Sequence, residues 1–287
     1  METGSTFTEI WRFREVIKNF VSQDLKVKYR RSVLGFFWSL LNPLLQMLVI
    51  SIVFSMLFRF SVRNYALYVL SGLLPWSFMS TSISGCSMCI VSAEGMLKRQ
   101  YFPKFVFPIS VVMQNLVTFF LSLTVLLLVL APVTGFKISA ALLILPLSFL
   151  CIVCVSLGIG ALAAVLTVHF RDTQHLVSVF LSAWFYLTPI IWPLEAKHPA
   201  KRAQGAVASQ VSAEPELVDM GPVPHKYRFY CKLNPMYSVI EMFHRPIYDA
   251  KFPTLYEFLG AIGVAAVSLI MGLVVFRRYE NTLVFNL

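Results

Sequence analysis

The sequence predicts an all-α integral membrane protein: six transmembrane helices preceded by an amphipathic interfacial helix. Three observations carry this. First, 57% of the 287 residues are hydrophobic and only 13% are charged, whereas a soluble domain carries roughly 25% charged residues. There is too little polar surface to cover a water-soluble globule. Second, charge is absent from long intervals: Ser32–Phe58, Asn64–Ala93, Phe105–Phe136, Ile138–Phe170 (His169 aside), Thr173–Leu194 (His175 aside) and Phe258–Phe276. Each can supply the roughly 20 apolar residues that a spanning helix needs. Third, these runs are continuous rather than alternating, which excludes the short amphipathic strands of an outer-membrane barrel.

Residues 1–31 form the first unit. In "FTEIWRFREVIKNFVSQDLKVKY", Ile10, Phe13, Ile17, Phe20 and Val21 recur at spacings of three and four, with Arg12, Glu15, Lys18 and Asn19 largely between them. That pattern predicts an amphipathic helix, with Trp11 and a basic face suited to the inner-leaflet interface. Thr8 or Ser5 is placed to cap its start. The stretch lacks an early apolar core and a small-residue cleavage site, so no cleavable signal peptide is expected.

Residues 32–194 hold the first five spans. The inside loop 94–104 separates the second from the third. Ser156, Gly160 and Ala164 give the fourth span a small-residue face that permits close helix packing. Pro189 and Pro193 remove backbone donors and break the fifth span near its outer end. Residues 195–256 form an extracytoplasmic loop and gate region. Residues 257–287 supply the sixth span and a cytoplasmic tail.

Six spans put both termini on one side. Cations cluster at Arg12–Arg31, Lys98–Lys104, Arg171 and Arg277–Arg278 on that side, while the short loops opposite hold only Arg59, Arg63 and Lys137. Short cytoplasmic loops carry the excess of Lys and Arg, so both termini are expected to be cytoplasmic in a multi-pass protein of the bacterial inner membrane. The formal charge of +10 is read as topology rather than nucleic-acid binding, because no cations interleave with a soluble stacking platform.

Other motifs exclude or mislead. No G-x-x-x-x-G-K-[ST] occurs, so the chain has no nucleotide-binding P-loop, and no H-E-x-x-H occurs. The pairs Cys86/Cys89 and Cys151/Cys154 lie inside apolar spans, where cysteine packs as a small hydrophobe rather than a zinc ligand. The five histidines have no ligand-like spacing, and no metal or catalytic site is expected. The spans are nearly free of ionisable groups, so a coupling-ion pathway is hard to build. Energy must then arrive from outside the membrane domain.

Five strings in order carry a resemblance: "KYRRSVLGFFWSLLNPLL" (Lys28–Leu45), "MLKRQYFPKFVFP" (Met96–Pro108), "HFRDTQHLV" (His169–Val177), "FYLTPIIWPL" (Phe185–Leu194) and "VPHKYRFYCKLNPMYSVIEMFHRPIYD" (Val223–Asp249). With the six-span layout they resemble the ABC-2 type permeases that export polysaccharides, among them the O-antigen, capsule and teichoic-acid exporters. The resemblance implies a homodimer that works with two copies of a separate ATPase subunit. ATP and Mg would be held by that subunit, with no cofactor in this chain. It implies a substrate glycan on a polyprenyl diphosphate carrier. The segment Ala196–Gly221 departs from the family, whose link there is usually short, and its small polar composition reads as an exposed loop.

Candidate sites follow from what such a substrate needs. Lys26, Lys28, Arg30 and Arg31 precede an apolar wall, and arginine binds phosphate bidentately. Gly35 permits close approach of a diphosphate. The same cations serve equally as topology signals that attract anionic lipid. Sugars offer apolar C–H faces to aromatic platforms, so Phe36, Phe37, Trp38, Trp76, Phe78, Trp184, Phe185, Tyr186 and Trp192 are candidates for a glycan channel or gate. Belt or core packing is the competing role for each. In loop 94–104 the resemblance makes Glu94, Lys98, Arg99, Tyr101 and Phe102 the ATPase-coupling element, with Arg171 and Asp172 as a second contact; unaided, both read as charged turns. Two competing functions remain: an ABC-2 type lipid or drug exporter, and a membrane-embedded lipid-modifying enzyme, for which only Asp172, His169 and His175 approach a convergent set.

Overall fold

The computed structural model describes residues 11–29, 37–58, 62–99, 102–125, 139–192, 194, 197–199, 217–219 and 225–283. Helix α1 (Arg14–Tyr29) comes first, followed by α2 (Phe37–Phe58) and α3 (Val62–Ser92). A single-turn helix, α4 (Glu94–Leu97), leads to α5 (Val106–Val125). A 3-10 turn at Ala140–Ile144 runs straight into α6 (Leu145–His169), and α7 spans Thr173–Leu187. Ser139 opens the 3-10 turn by accepting the Ala141 N–H at 3.3 Å.

Among the described residues, four helices are long and apolar enough to cross a membrane, at Tyr65–Ser92, Val106–Thr124, Ala140–His169 and, as α10, Leu255–Tyr279. Helix α2 adds a shorter apolar stretch, Leu41–Phe54. Helix α7 has 15 residues. At 1.5 Å per residue that is short of the ~30 Å hydrocarbon core. The predicted fifth span, Thr173–Leu194, is therefore helical only over its first two-thirds.

Helix α3 is the hub. It touches α2, α5, α6, α7 and α9 (Pro235–His244). Of its most apolar stretch 83% is buried inside the chain, against 22% for α10. The periphery is thus left for lipid or a partner. The main core gathers Leu70, Met79 and Ile83 of α3, Ile152 of α6, and Ile240 and Phe243 of α9. A second core joins Ile90, Leu97, Phe105, Phe107, Val165, Phe276 and Leu283 at the other end of the bundle.

The closest packing is between α6 and α10. A Cβ placed on Gly158 would strike the Ser268 carbonyl, and one on Gly272 would strike the Gly158 carbonyl. Here backbone meets backbone, the use membrane helices make of small residues. The predicted Ser156–Gly160–Ala164 face is also buried, with Gly160 against Cys86 of α3.

Helix α1 shows the predicted two faces: Phe13, Ile17, Phe20 and Val21 are half-buried, and Arg12, Glu15, Lys18 and Asn19 are exposed. Its inner face packs on the start of α5, where Phe20 stacks on Phe107 with centroids 5.7 Å apart. The cap candidates Ser5 and Thr8, and Ile10, lie outside the described residues.

Within residues 195–256, the described parts carry regular structure. Strands β1 (Lys197–Pro199) and β2 (Leu217–Asp219) pair antiparallel, with His198 opposite Val218. Helix α8 (His225–Leu233) follows, then α9, then a π turn at Arg245–Asp249. Helix α9 is buried from Met236 to His244 apart from half-buried Glu241. Asn234 caps it by accepting the Met236 N–H at 3.0 Å, and Pro235 fits the first turn, which needs no N–H.

Candidate functional site

A cavity of about 1120 Å³ opens between α2, α3, α5 and α7. Helix α2 contributes Trp38, Asn42 and Gln46. Helix α3 contributes Trp76, Ser77, Ser80, Thr81 and Ser84. Asn115, Thr118 and Ser122 come from α5, and Ser178, Ser182, Phe185 and Tyr186 from α7. Leu73, Leu74, Phe78, Phe119 and Leu181 complete the wall. Among the described residues lining it there is no Asp, Glu, Lys, Arg or His.

The helical repeat explains the assembly. Side chains at i, i+3, i+4 and i+7 share a helix face. Ser77, Ser80, Thr81 and Ser84 obey that spacing, as do Asn115, Thr118 and Ser122, Asn42 with Gln46, and Ser178 with Ser182. Each helix therefore turns one narrow polar stripe inward while its apolar flanks pack against neighbours.

Six of the eight serine and threonine hydroxyls in the described lining (Ser80, Thr81, Thr118, Ser122, Ser178 and Ser182) are bonded within their own helices before any ligand arrives. Thr81 donates to the Ser77 carbonyl at 2.6 Å and Ser122 to that of Thr118 at 3.0 Å. Ser178 donates to His175 at 2.8 Å and Ser182 to Ser178 at 2.9 Å. Gln46 donates to the Asn42 side-chain oxygen at 3.5 Å. Such back-bonding lets an isolated hydroxyl sit in an apolar span without a stranded proton. It leaves the oxygen lone pairs facing the cavity, so the groove offers mainly acceptors from its hydroxyls, joined by amides and aromatic faces.

Aromatic rings form one flank. Trp76 lies 5.6 Å from Phe185 and 6.0 Å from Trp184, centroid to centroid, and Phe185 is 5.3 Å from Tyr186. Trp76 is 5% exposed, Trp38 51% and Tyr186 70%. Trp38 and Tyr186 thus present open ring faces, while Trp76 backs them.

Beyond Leu187 the chain leaves the helix, and the freed backbone groups are collected by side chains. The Asn234 amide donates to the Leu187 carbonyl at 3.2 Å and to Thr188 Oγ1 at 2.9 Å, while Trp184 Nε1 donates to Asn234 Oδ1 at 2.9 Å. Tyr68 donates to the Pro189 carbonyl at 3.1 Å, with the Trp192 carbonyl 3.3 Å away, and Tyr65 to that of Ile191. Thr188, Pro189, Ile190 and Ile191 are buried. Irregular backbone at membrane depth needs this kind of enclosure. The sequence predicts the break at Pro189; Pro193 lies outside the described residues.

A charged corner adjoins that segment. Arg245 Nη2 donates to Glu257 Oε1 at 2.8 Å, and Arg245 Nε lies 3.4 Å from Glu241 Oε2. Glu257 also closes a capping box at the head of α10: its Oε2 accepts the Thr254 N–H at 2.8 Å and its own N–H reaches Thr254 Oγ1 at 3.4 Å. Buried His244 lies with Nδ1 3.8 Å from Glu241 Oε1 and its ring 4.4 Å from Tyr68. Desolvation, joined by the like charge of Glu241, pushes the Asp249 carboxyl above its ordinary value, against the pull of Arg245.

The predicted sites divide. Trp38, Trp76, Phe78, Phe185 and Tyr186 meet at the cavity. Trp184 stands behind Trp76. Trp192 is half-buried on the pinned segment and Phe37 is 66% exposed, both away from the lining. Of the diphosphate set, Lys26 is exposed near the end of α1. The Lys28 side chain, Arg30, Arg31, Gly35 and Phe36 lie outside the described residues.

Around α4, Glu94 pairs with Lys98 at 2.6 Å. Lys98, and more weakly Arg171, hold the Glu94 carboxyl below the usual carboxylate range. The two predicted coupling elements are thus within electrostatic reach of each other. Arg99, Arg171 and Asp172 are exposed. Phe102 instead turns onto the chain's own α1, 6.3 Å from Phe13 and 6.5 Å from Phe20. Tyr101 lies outside the described residues. His169 is tied to the Val165 carbonyl at 2.9 Å and packs on Tyr279. The inward hydroxyl and amide stripes were missed at the sequence level, although their helical spacing is the signal that finds them.

The ABC-2 type transporter family matches residues 15–203. The "O-antigen export system permease protein RfbA" of Myxococcus xanthus is 31% identical over 261 residues, 91% of this chain and 91% of that protein. A protein of the same description from Klebsiella pneumoniae is 27% identical over 265 residues, 90% of each chain. The "Polysialic acid transport protein KpsM" of Escherichia coli is 22% identical over 269 residues, 91% of this chain and 92% of that protein.

Proposed function

This chain belongs to the ABC-2 type transporter family, and we propose that it is the permease subunit through which a polysaccharide crosses the bacterial inner membrane. The observation that carries this is the groove itself: an uncharged cavity of about 1120 Å³ walled by hydroxyls, amides and aromatic rings. Pyranose rings display hydroxyl rims and apolar C–H faces, and this lining answers both. The export roles named for the relatives agree with it. A drug or apolar-lipid exporter has no use for such polar stripes.

The proposal extends to topology and partners. Helices α2 and α7 complete six spans with the four long ones, both termini are cytoplasmic, and α1 lies in the inner-leaflet interface. The apolar residues Leu45, Leu48, Ile52, Val179, Phe180 and Leu187 are exposed on the two helices that edge the groove. A second copy of the chain would cover them and close the path as a homodimer. Two copies of a separate ATPase subunit, which hold ATP and Mg, dock at Glu94–Phe102 and Arg171–Asp172. Lys26, Lys28, Arg30, Arg31 and Gly35 receive the diphosphate of the lipid carrier. Thr188 to Trp192 form the outer end of the path, with Phe185 and Tyr186 as its gate.

The test is export per inserted protein. Replacing Ser80 and Ser182 together with Leu fills the groove without adding charge. Surface glycan should fall at least tenfold, with membrane level and co-purification of the ATPase kept. Unchanged export at equal membrane level would refute the groove as the path.

A further inference from the structure

We propose that the groove selects electrically neutral glycans, built of hydroxylated and N-acylated sugars, and rejects polymers that carry carboxylates or phosphates. This inference rests on the glycan-export reading above and sharpens its substrate class.

The reason lies in where the groove's protons and charges are. Thr81, Ser122, Ser178 and Ser182 aim their hydroxyl protons at carbonyls of their own helices. What they present to the cavity is lone pairs. A sugar hydroxyl can donate to them. An ionised carboxylate or phosphodiester is an acceptor only: at these four positions it meets acceptors, and the donors left to it elsewhere in the described lining are all neutral. Amides of Asn42, Gln46 and Asn115 suit an N-acyl group, which both donates and accepts. They are neutral, and none replaces the hydration of a full charge.

Among the described residues none of the lining is basic. Arg245 is committed to Glu257 and Glu241. Lys98 pairs with Glu94, and Lys18 with Glu15. A polyanion threading the groove would place several like charges between low-dielectric walls with no counter-charge, where repulsion is least screened. A neutral chain meets no such barrier. The reading above assigns the carrier's own diphosphate to the cations that precede α2 in the sequence, so it does not contradict the selection.

Deleting the chain from its host and identifying the surface polysaccharide that disappears is the direct test. The lost polymer should pass through an anion-exchange column unretained and yield only neutral and N-acylated sugars. A lost polymer retained by the column, with uronic acid, sialic acid or phosphate in its repeat, overturns the inference and leaves the export reading standing. No lost polymer, with the chain normally expressed, overturns both. A second arm uses the purified full chain in nanodiscs, with Trp38 and Trp76 as fluorescent reporters. Maltohexaose should quench at a concentration at least tenfold lower than the hexamer of galacturonic acid. Equal potency, or the reverse order, counts against neutral selection.

Discussion

The groove and the Glu241–Glu257 corner are both polar sites inside an apolar helix bundle, and they solve burial in opposite ways. The corner uses full charges, each met by a partner within about 3.4 Å or by a backbone N–H. The described lining of the groove carries no charge, and most of its hydroxyls lean on their own helices. A paired buried charge is costly to disturb, because the survivor is left uncompensated. A back-bonded hydroxyl is cheap to remove. Charge is thus placed where helices are pinned together, and neutral polarity along the groove proposed above as the path.

The strongest way to break this contrast is Glu257→Ala. It strips Arg245 of its shorter ion pair and opens the capping box of α10. A loss of about 3 kcal/mol is expected, since Arg245 keeps only its longer contact to Glu241 while a helix cap is lost as well. Unfolding in detergent should begin well below that of the wild type. Glu257→Gln keeps a cap acceptor and should recover part of the loss. If Glu257→Ala unfolds like the wild type, the corner is not a lock.

Asn234→Ala comes next. It removes the α9 cap and the bonds to Trp184, Leu187 and Thr188. About 2 kcal/mol is expected, from a lost cap plus buried groups left unpaired. Hydrogen exchange should rise locally over residues 184–192. A change spread evenly over α3 and α6 would contradict that local role.

Ser182→Ala sharpens the groove side. Its hydroxyl bonds only to the preceding turn, so stability should move by less than about 0.5 kcal/mol. Export per inserted protein should nonetheless fall by a factor of about two, roughly 0.4 kcal/mol by the usual conversion. A variant that loses stability but not rate would reverse the roles given to the two regions.

The smallest effect concerns α4, whose one charge pair is exposed. The folded Glu94 carboxyl lies below its ordinary value, first through Lys98 and then through Arg171. Its contribution is therefore present above the ordinary carboxylate value and is lost as pH falls through the lowered one. Exchange protection at residues 94–99 should drop slightly across that acid window in the wild type. Glu94→Gln should remove the pH dependence; a persisting one points to another group.

The bundle was legible where the sequence speaks in long periods. Uncharged runs gave the apolar helices, and the three-and-four spacing of Phe13, Ile17 and Phe20 gave α1. The aromatics Trp38, Trp76, Phe185 and Tyr186 were legible as a set because ring chemistry is visible without contacts. The serine and threonine stripes were not read, since short hydroxyls hardly dent an apolar run, and only the meeting of four helices gives them a common direction. Helix α9 hid for another reason. With 10 residues and a polar corner at its end, it reads as loop until its burial between α3, α6 and α10 is seen. Trp192 sits off the groove lining, because a proline break predicts where a helix stops and says nothing of how the next residues are folded back.

Finally, the glycine crossing of α6 and α10 bears on mechanics. Where two backbones touch through Gly158 and Gly272, there is no side chain to change rotamer and no gap to close, so the pair can neither slide nor splay without losing contact. The two helices behave as one strut. Force delivered at the end that carries α4 and Arg171 would tilt that strut as a unit, and the give must come from helices gripped less tightly. Helices α2 and α7, which edge the groove, would then be the parts of the frame left to give, on the reading proposed above.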